Sequence, residues 1–283
     1  LQLESYQLPG YIKSVKRNAM RALIPPIAMA AVGVAALRLS GLTGLALLLE
    51  ALTAALLVWQ AAKEKAKKPF VATERVKRLL AVHAAVNTVL ALALLTVSPV
   101  LGYLLPAFEP ALLMLAALIA APMEKHIAGQ FMKDAQARLA AQPGLIKIGI
   151  TGSYGKTSTK FLLRDILSVK YNVLATPSSF NTPMGVTRVI REQLTPAHQV
   201  FIAEMGARHV GDIRELVELV HPQMGLITSV GPQHLDTFGT IERVRDTKYE
   251  LIEGLPKDGT AIFARDGAIC EQLFDRCTLE KKY

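Results

Sequence analysis

The sequence predicts an α-helical membrane region of about four spans, followed by an α/β domain with a mainly parallel sheet and helices on both faces. Three observations carry this prediction. Long apolar runs lie before residue 123, short apolar runs alternate with amphipathic segments after residue 145, and a glycine-rich turn joins the first strand of that part to its first helix. The predicted parts are residues 1–122 for the membrane region, 123–144 for an amphipathic connector and 145–283 for the α/β domain.

The composition indicates a membrane surface rather than a nucleic acid as the partner of the basic residues. The chain has 283 residues, of which 51% are apolar, and a net charge of +9. Its basic residues cluster beside apolar runs, where the positive-inside rule accounts for them, and no aromatic and basic stripe is present. Cys270 and Cys277 have no metal-type partners in the sequence and are predicted to be reduced thiols of a cytosolic domain.

Four apolar runs are long enough to span a bilayer as helices. They are Ala22–Leu39, Leu45–Ala62, Leu79–Val97 and Val100–Ala121, the last interrupted by Pro106, Glu109 and Pro110. Basic residues concentrate in the stretch 11–21 and in the loop 63–78, which contains seven Lys or Arg, so both are predicted to be cytoplasmic. The chain is therefore predicted to be a multi-pass protein of the inner (plasma) membrane with a cytoplasmic α/β domain.

Polar residues inside the third run leave two interpretations open. His83 and Asn87 lie four residues apart, hence on one helix face. They serve either as hydrogen-bonding partners between helices or, less commonly, as contacts to a substrate.

Residues 123–142 have apolar side chains at helical spacing, which predicts an amphipathic helix on the membrane surface. Pro143 and Gly144 end it.

From residue 145, the candidate strands are Leu145–Thr151, Asn172–Ala175, Gln199–Ala203, Gly225–Thr228 and Ala261–Ala264. The candidate helices are Lys156–Ser168, Val186–Gln193, Val210–Val220, Ile241–Glu253 and Ala268–Phe274. Such alternation predicts a parallel sheet whose ligands collect at the carboxyl ends of the strands.

The stretch 145–160, LIKIGITGSYGKTSTK, predicts a phosphate-binding turn between a strand and a helix N-terminus. The candidate nucleotide-binding residues are Gly152, Ser153, Tyr154, Gly155, Lys156, Thr157 and Ser158. Lys156 would reach the terminal phosphates of ATP, and the Thr157 hydroxyl would bind Mg²⁺. The spacing departs from the common Walker motif, because Ile150 stands where that motif has its first glycine. The alternative is a helix-capping turn with a surface lysine.

Other polar residues follow the next strand ends. A polar loop, 176–185, follows the second strand, Glu204 follows the third, and His234 follows the fourth. A carboxylate at a strand end beside a phosphate loop is a candidate Mg²⁺ ligand, although it is as often a solvated loop residue. Lys248 lies within an amphipathic helix, where a lysine is ordinarily on the surface.

Five motifs together resemble the central domain of the Mur ligases, over about residues 145–267. They are TGSYGKTSTK, NTPMGV, AEMGARHVGDI, GPQHLDTFGT and TKYELI, in this order, and they fit best the members that add D-alanyl-D-alanine. The resemblance implies an ATP- and Mg²⁺-dependent amide ligase of peptidoglycan precursor synthesis. Such a ligase activates a carboxylate as an acyl phosphate, which an amino acid or dipeptide such as D-Ala-D-Ala attacks. The resemblance leaves open whether the precursor is UDP-linked or lipid-linked.

The resemblance also assigns roles to individual residues. Lys156 and Thr157 would bind phosphate and the first Mg²⁺, and Glu204 would help to hold that metal. His234 and Lys248 match ligands of a second metal, and Lys156, His234 and Lys248 are the candidate catalytic residues. Among these, Lys248 matches the lysine that family members carbamylate, which converts a cation into a metal-binding carboxylate. Substrate binding falls to Asn181 and Thr182.

The sequence departs from the family in three places. Ala264-Arg265-Asp266 stands where the family has an asparagine that contacts adenine, membrane spans replace the small domain that grips UDP, and the C-terminal ligase domain is absent from the chain. We therefore expect this chain alone to bind ATP without completing ligation. Two other functions remain open: a poly-γ-glutamate-type polymer synthase, and a membrane P-loop ATPase or scaffold without ligase activity.

Overall fold

The computed structural model describes residues 12, 15–16, 19–40, 44–45, 48–49, 51–56, 72–178, 180–265 and 267–283. They belong to two compact units that divide between His126 and Ile127. The predicted run Leu45–Ala62 is described only in part, and its described residues are helical. Predictions for residues 11, 13–14 and 17–18 of the basic stretch, for residues 63–71 and for Asp266 lie outside the described residues.

The first unit is helical. Its helices are α1 (Ala19–Ser40), α2 (Glu74–Val97), α3 (Pro99–Leu104), a 3₁₀ turn (Leu105–Phe108) and the beginning of α4 (Glu109–Ala140). Within the described ranges, three helical stretches have the length and composition to cross a membrane: Ala22–Leu39, Glu74–Val97 and Val100–Ala140. Span number and topology remain predictions, because the remaining apolar run is described only in part.

Polar side chains join α2 to α4 within the first unit. The Arg78 guanidinium donates to both carboxylate oxygens of Glu124, at 2.6 and 3.0 Å. Further along α2, His83 Nε2 lies 2.9 Å from Glu109 Oε2, and Asn87 Nδ2 lies 3.2 Å from the same ring nitrogen. His83 and Asn87 thus share one helix face, as predicted, and the contact with Glu109 favours the interpretation as interhelical hydrogen bonding.

The structure has one helix, α4, where the sequence predicted the end of a span and a separate connector on the membrane surface. The chain breaks at the 3₁₀ turn that contains Pro106, and the helix then continues past Pro122. In the second unit, Ala135 and Leu139 of α4 are buried in the core of the α/β domain. The end of this apolar stripe therefore packs against protein, and the placement of the connector on a membrane surface stays a prediction.

The α/β domain has a six-stranded parallel sheet in the order β2-β3-β1-β4-β5-β6. The strands are β1 (Ile146–Thr151), β2 (Val173–Ala175), β3 (Val200–Glu204), β4 (Met224–Ile227), β5 (Thr260–Phe263) and β6 (Lys281–Lys282). The helices are α5 (Lys156–Leu167), α6 (Pro183–Gln193), α7 (Asp212–Val220), α8 (Leu235–Phe238), α9 (Ile241–Glu253) and α10 (Ala268–Arg276). The parallel sheet with helices on both faces is confirmed.

The two faces of the sheet are covered unequally. One core cluster joins the sheet to α6, α7, α9, α10 and the end of α4, whereas the smaller cluster on the other face joins it to α5. Right-handed crossovers explain this difference. The connection from β1 to β2 runs toward one end of the sheet, whereas the connections that follow run toward the other end. The helix of the first connection, α5, therefore lies on the opposite face from the others. Beside α5, an apolar cavity of about 260 Å³ is lined by residues that include Ile146, Met224 and Ile262.

Capping residues explain where the observed helices differ from the predicted ones. Helix α6 begins three residues earlier than predicted, because Thr182 accepts a hydrogen bond from the Gly185 N–H and Pro183 occupies the first helical turn. The short helix α8 and strand β6 were not predicted. Both are shorter than the segments that hydrophobic periodicity can detect.

Candidate nucleotide and metal site

The turn between β1 and α5 leaves the N-terminus of α5 open to a ligand. Gly155, with φ of 80°, is the N-cap residue, and no side chain of the described residues caps this helix. The first N–H groups of a helix have no partner within the helix and carry partial positive charge. This turn therefore provides a site for an anion such as a phosphate group.

The loop after β4 holds the phosphate-binding turn in place. The Ser153 N–H donates to the Ser229 carbonyl at 2.8 Å, and the Tyr154 N–H donates to the Ser229 hydroxyl at 3.0 Å. The Thr228 hydroxyl donates to the Tyr154 carbonyl at 2.6 Å, and the Gly231 N–H donates to the Ser153 hydroxyl at 2.9 Å. Ser153 and Tyr154, both predicted to contact nucleotide, thus use their backbone N–H groups to fix the turn.

Lys156 lies at the first position of α5, and its ammonium folds back over the turn. It donates to the carbonyls of Gly152 at 2.7 Å and Ser153 at 3.3 Å. Burial lowers the pKa of Lys156, and the Glu204 carboxylate opposes this effect. An anionic ligand at the helix N-terminus would supply the counter-charge for this ammonium.

Glu204 ends β3 next to β1, and four polar groups surround it. It is 1% exposed. Its Oε2 accepts from the Thr157 hydroxyl at 2.9 Å and from the Lys160 ammonium at 2.8 Å, and its Oε1 accepts from Asn181 Nδ2 at 3.1 Å. Its backbone N–H donates to the Thr176 hydroxyl at 3.1 Å. The structure therefore brings together Thr157, Glu204 and Asn181, as the predicted roles require.

The polar loop after β2 is tied to the end of β3. The Gly206 N–H donates to the Asn181 carbonyl at 2.8 Å. A Cβ atom at Gly206 would lie 2.7 Å from Asn181 Cγ, so only glycine permits this approach. Asn181 faces Glu204, whereas the Thr182 hydroxyl serves as the N-cap of α6. Of the two predicted substrate residues, Thr182 has this structural role in the ligand-free chain.

The charge of Lys156 contributes to the pKa of both His234 and Lys248, so these side chains lie within electrostatic reach of the phosphate-binding turn. Burial and then the charge of Arg208 lower the pKa of His234, with smaller contributions from Lys248 and Lys156, while Asp236 opposes them. The imidazole is therefore favoured in its neutral form, which is the form that binds a metal.

Lys248 is almost completely buried in α9, with 2% of its surface exposed. Burial, followed by the charge of Lys156, lowers the pKa of Lys248 to about 8. Its burial thus distinguishes Lys248 from an ordinary surface lysine, and its role in metal binding stays a prediction. A lysine with a lowered pKa has a larger neutral fraction near pH 7, and the neutral amine is the reactive form.

The donors present fit Mg²⁺ at the first metal position. Among the described residues, no three His, Cys, Asp or Glu side chains converge to hold a metal. Mg²⁺ commonly takes one or two protein oxygens and completes its shell with phosphates and water, and Thr157 and Glu204 present such oxygens side by side. The 2.9 Å between Thr157 Oγ1 and Glu204 Oε2 also matches the spacing of about 3 Å between neighbouring ligands in an octahedron with ligand distances of about 2.1 Å.

A second cavity, of about 430 Å³, lies at the carboxyl end of β5. Phe263, Ala264, Arg265, Phe274 and Tyr283 contribute to its lining. Strand β5 is separated from β1 only by β4, so this cavity lies along the same sheet edge as the phosphate-binding turn. Ala264 and Arg265, two of the three residues that stand where the resemblance leads us to expect an adenine-contacting asparagine, line it without offering a side-chain amide.

Sequence reasoning missed three groups that hold the site together. Lys160 is fully buried against Glu204, although its position four residues after Lys156 on α5 gives no sign of this. Thr176 fixes the backbone of Glu204, and Thr228 with Ser229 fixes the phosphate-binding turn. Their position after the ends of β2 and β4 was the available signal, since strand ends of a parallel sheet share one edge.

The α/β domain is similar to known proteins in sequence and in fold. Residues 150–282 match the family model described as Mur ligase middle domain. Curated relatives include UDP-N-acetylmuramoyl-tripeptide–D-alanyl-D-alanine ligases. That of Synechocystis sp. is 39% identical over 129 residues, which are 46% of this chain and 28% of the relative. That of Escherichia coli is 31% identical over 158 residues, which are 53% of this chain and 35% of the relative.

Solved structures give the same result. MurF from Acinetobacter baumannii superimposes with a TM-score of 0.52 and 28% identity over 55% of this chain and 34% of that chain. MurF ligase from Thermotoga maritima, in complex with ADP, has a TM-score of 0.51 and 30% identity over 55% and 35% of the two chains. The chain thus spans about a quarter to a third of the length of these curated relatives and structures. Within that span, the α/β domain of this protein is similar to the Mur ligase middle domain.

Proposed function

We propose that this protein is a membrane-anchored, ATP-dependent ligase of peptidoglycan precursor synthesis. It joins D-Ala-D-Ala, or a related amino acid or dipeptide, to the carboxylate of a muramyl peptide. The observation that carries the proposal is an uncapped helix N-terminus beside Lys156, with Thr157 bonded to the buried Glu204 and with His234 and Lys248 within electrostatic reach of Lys156, in a domain similar to the Mur ligase middle domain. The curated relatives named as D-alanyl-D-alanine ligases support this substrate class.

Each side chain has a distinct part in this reaction. The N–H groups of α5 and the Lys156 ammonium bind the phosphates of ATP. Thr157 and Glu204 would hold Mg²⁺ there, and the ion would supply positive charge to offset the charge on the transferred phosphoryl group. Asn181 orients the muramyl peptide, and His234 with a carbamylated Lys248 would hold a second metal ion. The resulting peptide bond joins the muramyl carboxyl carbon to the amine of the incoming dipeptide.

The activity is tested with the complete gene product that contains this chain. With UDP-linked muramyl tripeptide and D-Ala-D-Ala both present, we expect one ADP and one phosphate for each pentapeptide product, measured by coupled assay and mass spectrometry. Omitting either the muramyl tripeptide or D-Ala-D-Ala should reduce ADP release to background. ADP release that is unaffected by both of these substrates would identify an ATPase instead. Comparison of the UDP-linked with the lipid-linked precursor assigns the form used.

We also propose four spans in the plasma membrane, with the ATP-binding domain in the cytoplasm. The three apolar helices and the basic loop 63–78 support this topology. Single cysteines introduced at Thr43 and at Lys68, in a variant with Cys270 and Cys277 replaced by serine, should be labelled from opposite sides by a membrane-impermeant maleimide. Labelling of both positions from the same side would exclude a hairpin formed by the first two spans.

A further inference from the structure

We infer that Lys160 is a positioning residue, which orients Glu204 for the metal and couples it to the polar loop after β2. The inference rests on the proposed function, because it concerns the same metal position. Lys160 has no surface exposure, and Glu204 has 1%. The Lys160 ammonium lies 2.8 Å from Glu204 Oε2.

A buried ion pair at this position calls for an explanation beyond stability. Removing two charges from water is unfavourable, and their mutual attraction often does no more than offset that loss. A hydrophobic pair of similar volume would stabilise the core equally well. The geometry therefore points to a role for the ammonium in holding the carboxylate at one orientation.

The hydrogen bonds to Glu204 show how its orientation is fixed. An ionised carboxylate has about four positions for hydrogen-bond donors. Lys160 and Thr157 occupy two at Oε2, and Asn181 occupies one at Oε1. With Lys160 on one side of Oε2, rotation of the carboxyl group away from Thr157 would leave a buried ammonium without its counter-ion. Lys160 thus keeps Oε2 beside Thr157, where the proposed Mg²⁺ binds.

The same ammonium reaches the loop that carries Asn181. It donates a short hydrogen bond to the Ser178 carbonyl. Ser178 has a φ of 44°, in the left-handed region that non-glycine residues seldom adopt. An ordered outlier of this kind requires surrounding contacts that maintain it. Lys160 therefore connects three elements, α5, the end of β3 and the loop after β2, through one buried charge.

The test measures the Mg²⁺ dependence of nucleotide binding in the full chain, purified in detergent, with a fluorescent ATP analogue. We expect Lys160→Met to raise the Mg²⁺ concentration at half-saturation by about 10- to 100-fold, as loss of residues that orient metal ligands does elsewhere. Binding of the analogue in EDTA should remain unchanged. Arg164→Met is the matched control, because Arg164 lies on the same helix and over the same Phe161 ring but pairs with Asp165 on the surface.

A double-mutant cycle separates positioning from general stability. In a Glu204→Gln background, Lys160→Met should change the half-saturating Mg²⁺ concentration by less than about twofold, because its partner is gone. An equal effect of Lys160→Met in both backgrounds, or no effect in either, overturns the inference. If Lys160→Met alone does not fold, judged by circular dichroism, then Lys160→Arg replaces it. This variant retains the charge but displaces Glu204, and an unchanged Mg²⁺ dependence would likewise overturn the inference.

Ligation by the complete gene product is measured in parallel. Mg²⁺-dependent ATP binding without ligation contradicts the proposed function but leaves the role of Lys160 intact. Ligation that proceeds in Lys160→Met with unchanged Mg²⁺ dependence contradicts only the role of Lys160.

Discussion

Lys248→Ala is expected to reduce ligation by the complete gene product by about 10³-fold, the scale seen when one group that stabilises transition-state charge is removed. Lys248 is 2% exposed, and its lowered pKa of about 8 reflects burial and the charge of Lys156. Among the described groups, no carboxylate contributes a compensating rise in that pKa. As an ammonium, Lys248 has no lone pair to offer a metal ion, whereas its carbamate would provide an anionic oxygen ligand.

The lowered pKa favours carbamate formation at physiological pH. A shift from 10.5 to about 8 increases the neutral fraction at pH 7 by about 300-fold. The folded protein then binds fewer protons here than the unfolded chain does. Protonation of Lys248 therefore opposes folding below about pH 8, and this effect disappears as the pH rises toward 10.5. Ligation that depends on added bicarbonate should correspondingly decline as the pH falls below 8.

Two variants and one spectroscopic signal decide the role of Lys248. Lys248→Arg should remain inactive, because it retains a positive charge, whereas a short-chain carboxylic acid should partly restore Lys248→Ala by filling the vacated space. After exchange with ¹³C-bicarbonate, the wild type should show a carbamate carbon resonance that Lys248→Ala lacks. Lys257→Ala, on the exposed loop before β5, is the control. Full activity of Lys248→Arg would rule out the carbamate.

Lys156→Ala is expected to weaken ATP binding by about 10- to 100-fold, which corresponds to the loss of one charged hydrogen bond of about 1.5–3 kcal/mol. The glycine turn should keep its shape in this variant, because its hydrogen bonds with Ser229 and Thr228 remain when those from Lys156 to the Gly152 and Ser153 carbonyls are lost. The main loss is the positive charge at the terminal phosphates.

Isothermal titration of the full chain with Mg·ATP and with Mg·ADP tests this expectation. The loss of affinity should be larger for ATP than for ADP, since Lys156 is assigned to the terminal phosphates. Lys257→Ala again serves as the control and should bind as the wild type does. Equal affinity of Lys156→Ala and wild type for ATP would contradict the assignment of the turn.

The parallel sheet could be predicted because its strands are short apolar runs separated by turn residues. All five predicted strands occur, with ends displaced by at most one residue, and helix α9 has the predicted bounds of Ile241–Glu253. The start of α6 was missed because Thr182, read as a substrate contact, caps the helix. Helix-forming residues follow Pro122, so α4 continues to Ala140 and the predicted connector is the second part of one long helix rather than a separate element.

The sequence predicts only those residues of the candidate site that lie directly beside the ends of strands. Thr157, Glu204 and Asn181 converge because parallel strands place their carboxyl ends on one edge. Lys160 could not be found in this way, since its burial depends on the width of the space between α5 and β3, which a single sequence does not encode in any local pattern. The same holds for Lys248, whose burial became visible only when α9 was packed against the sheet.

Hydrogen bonds join the phosphate-binding turn to the loop 228–231, so that the two segments form one structural unit. His234 lies three residues beyond the end of that loop. Any ligand that orders the turn therefore also restricts the backbone that carries the imidazole. By thermodynamic reciprocity, a metal ion held by His234 must strengthen phosphate binding by the same factor by which phosphate strengthens the binding of that ion. Nucleotide and second metal would thus load cooperatively, even though no side chain is shared between them.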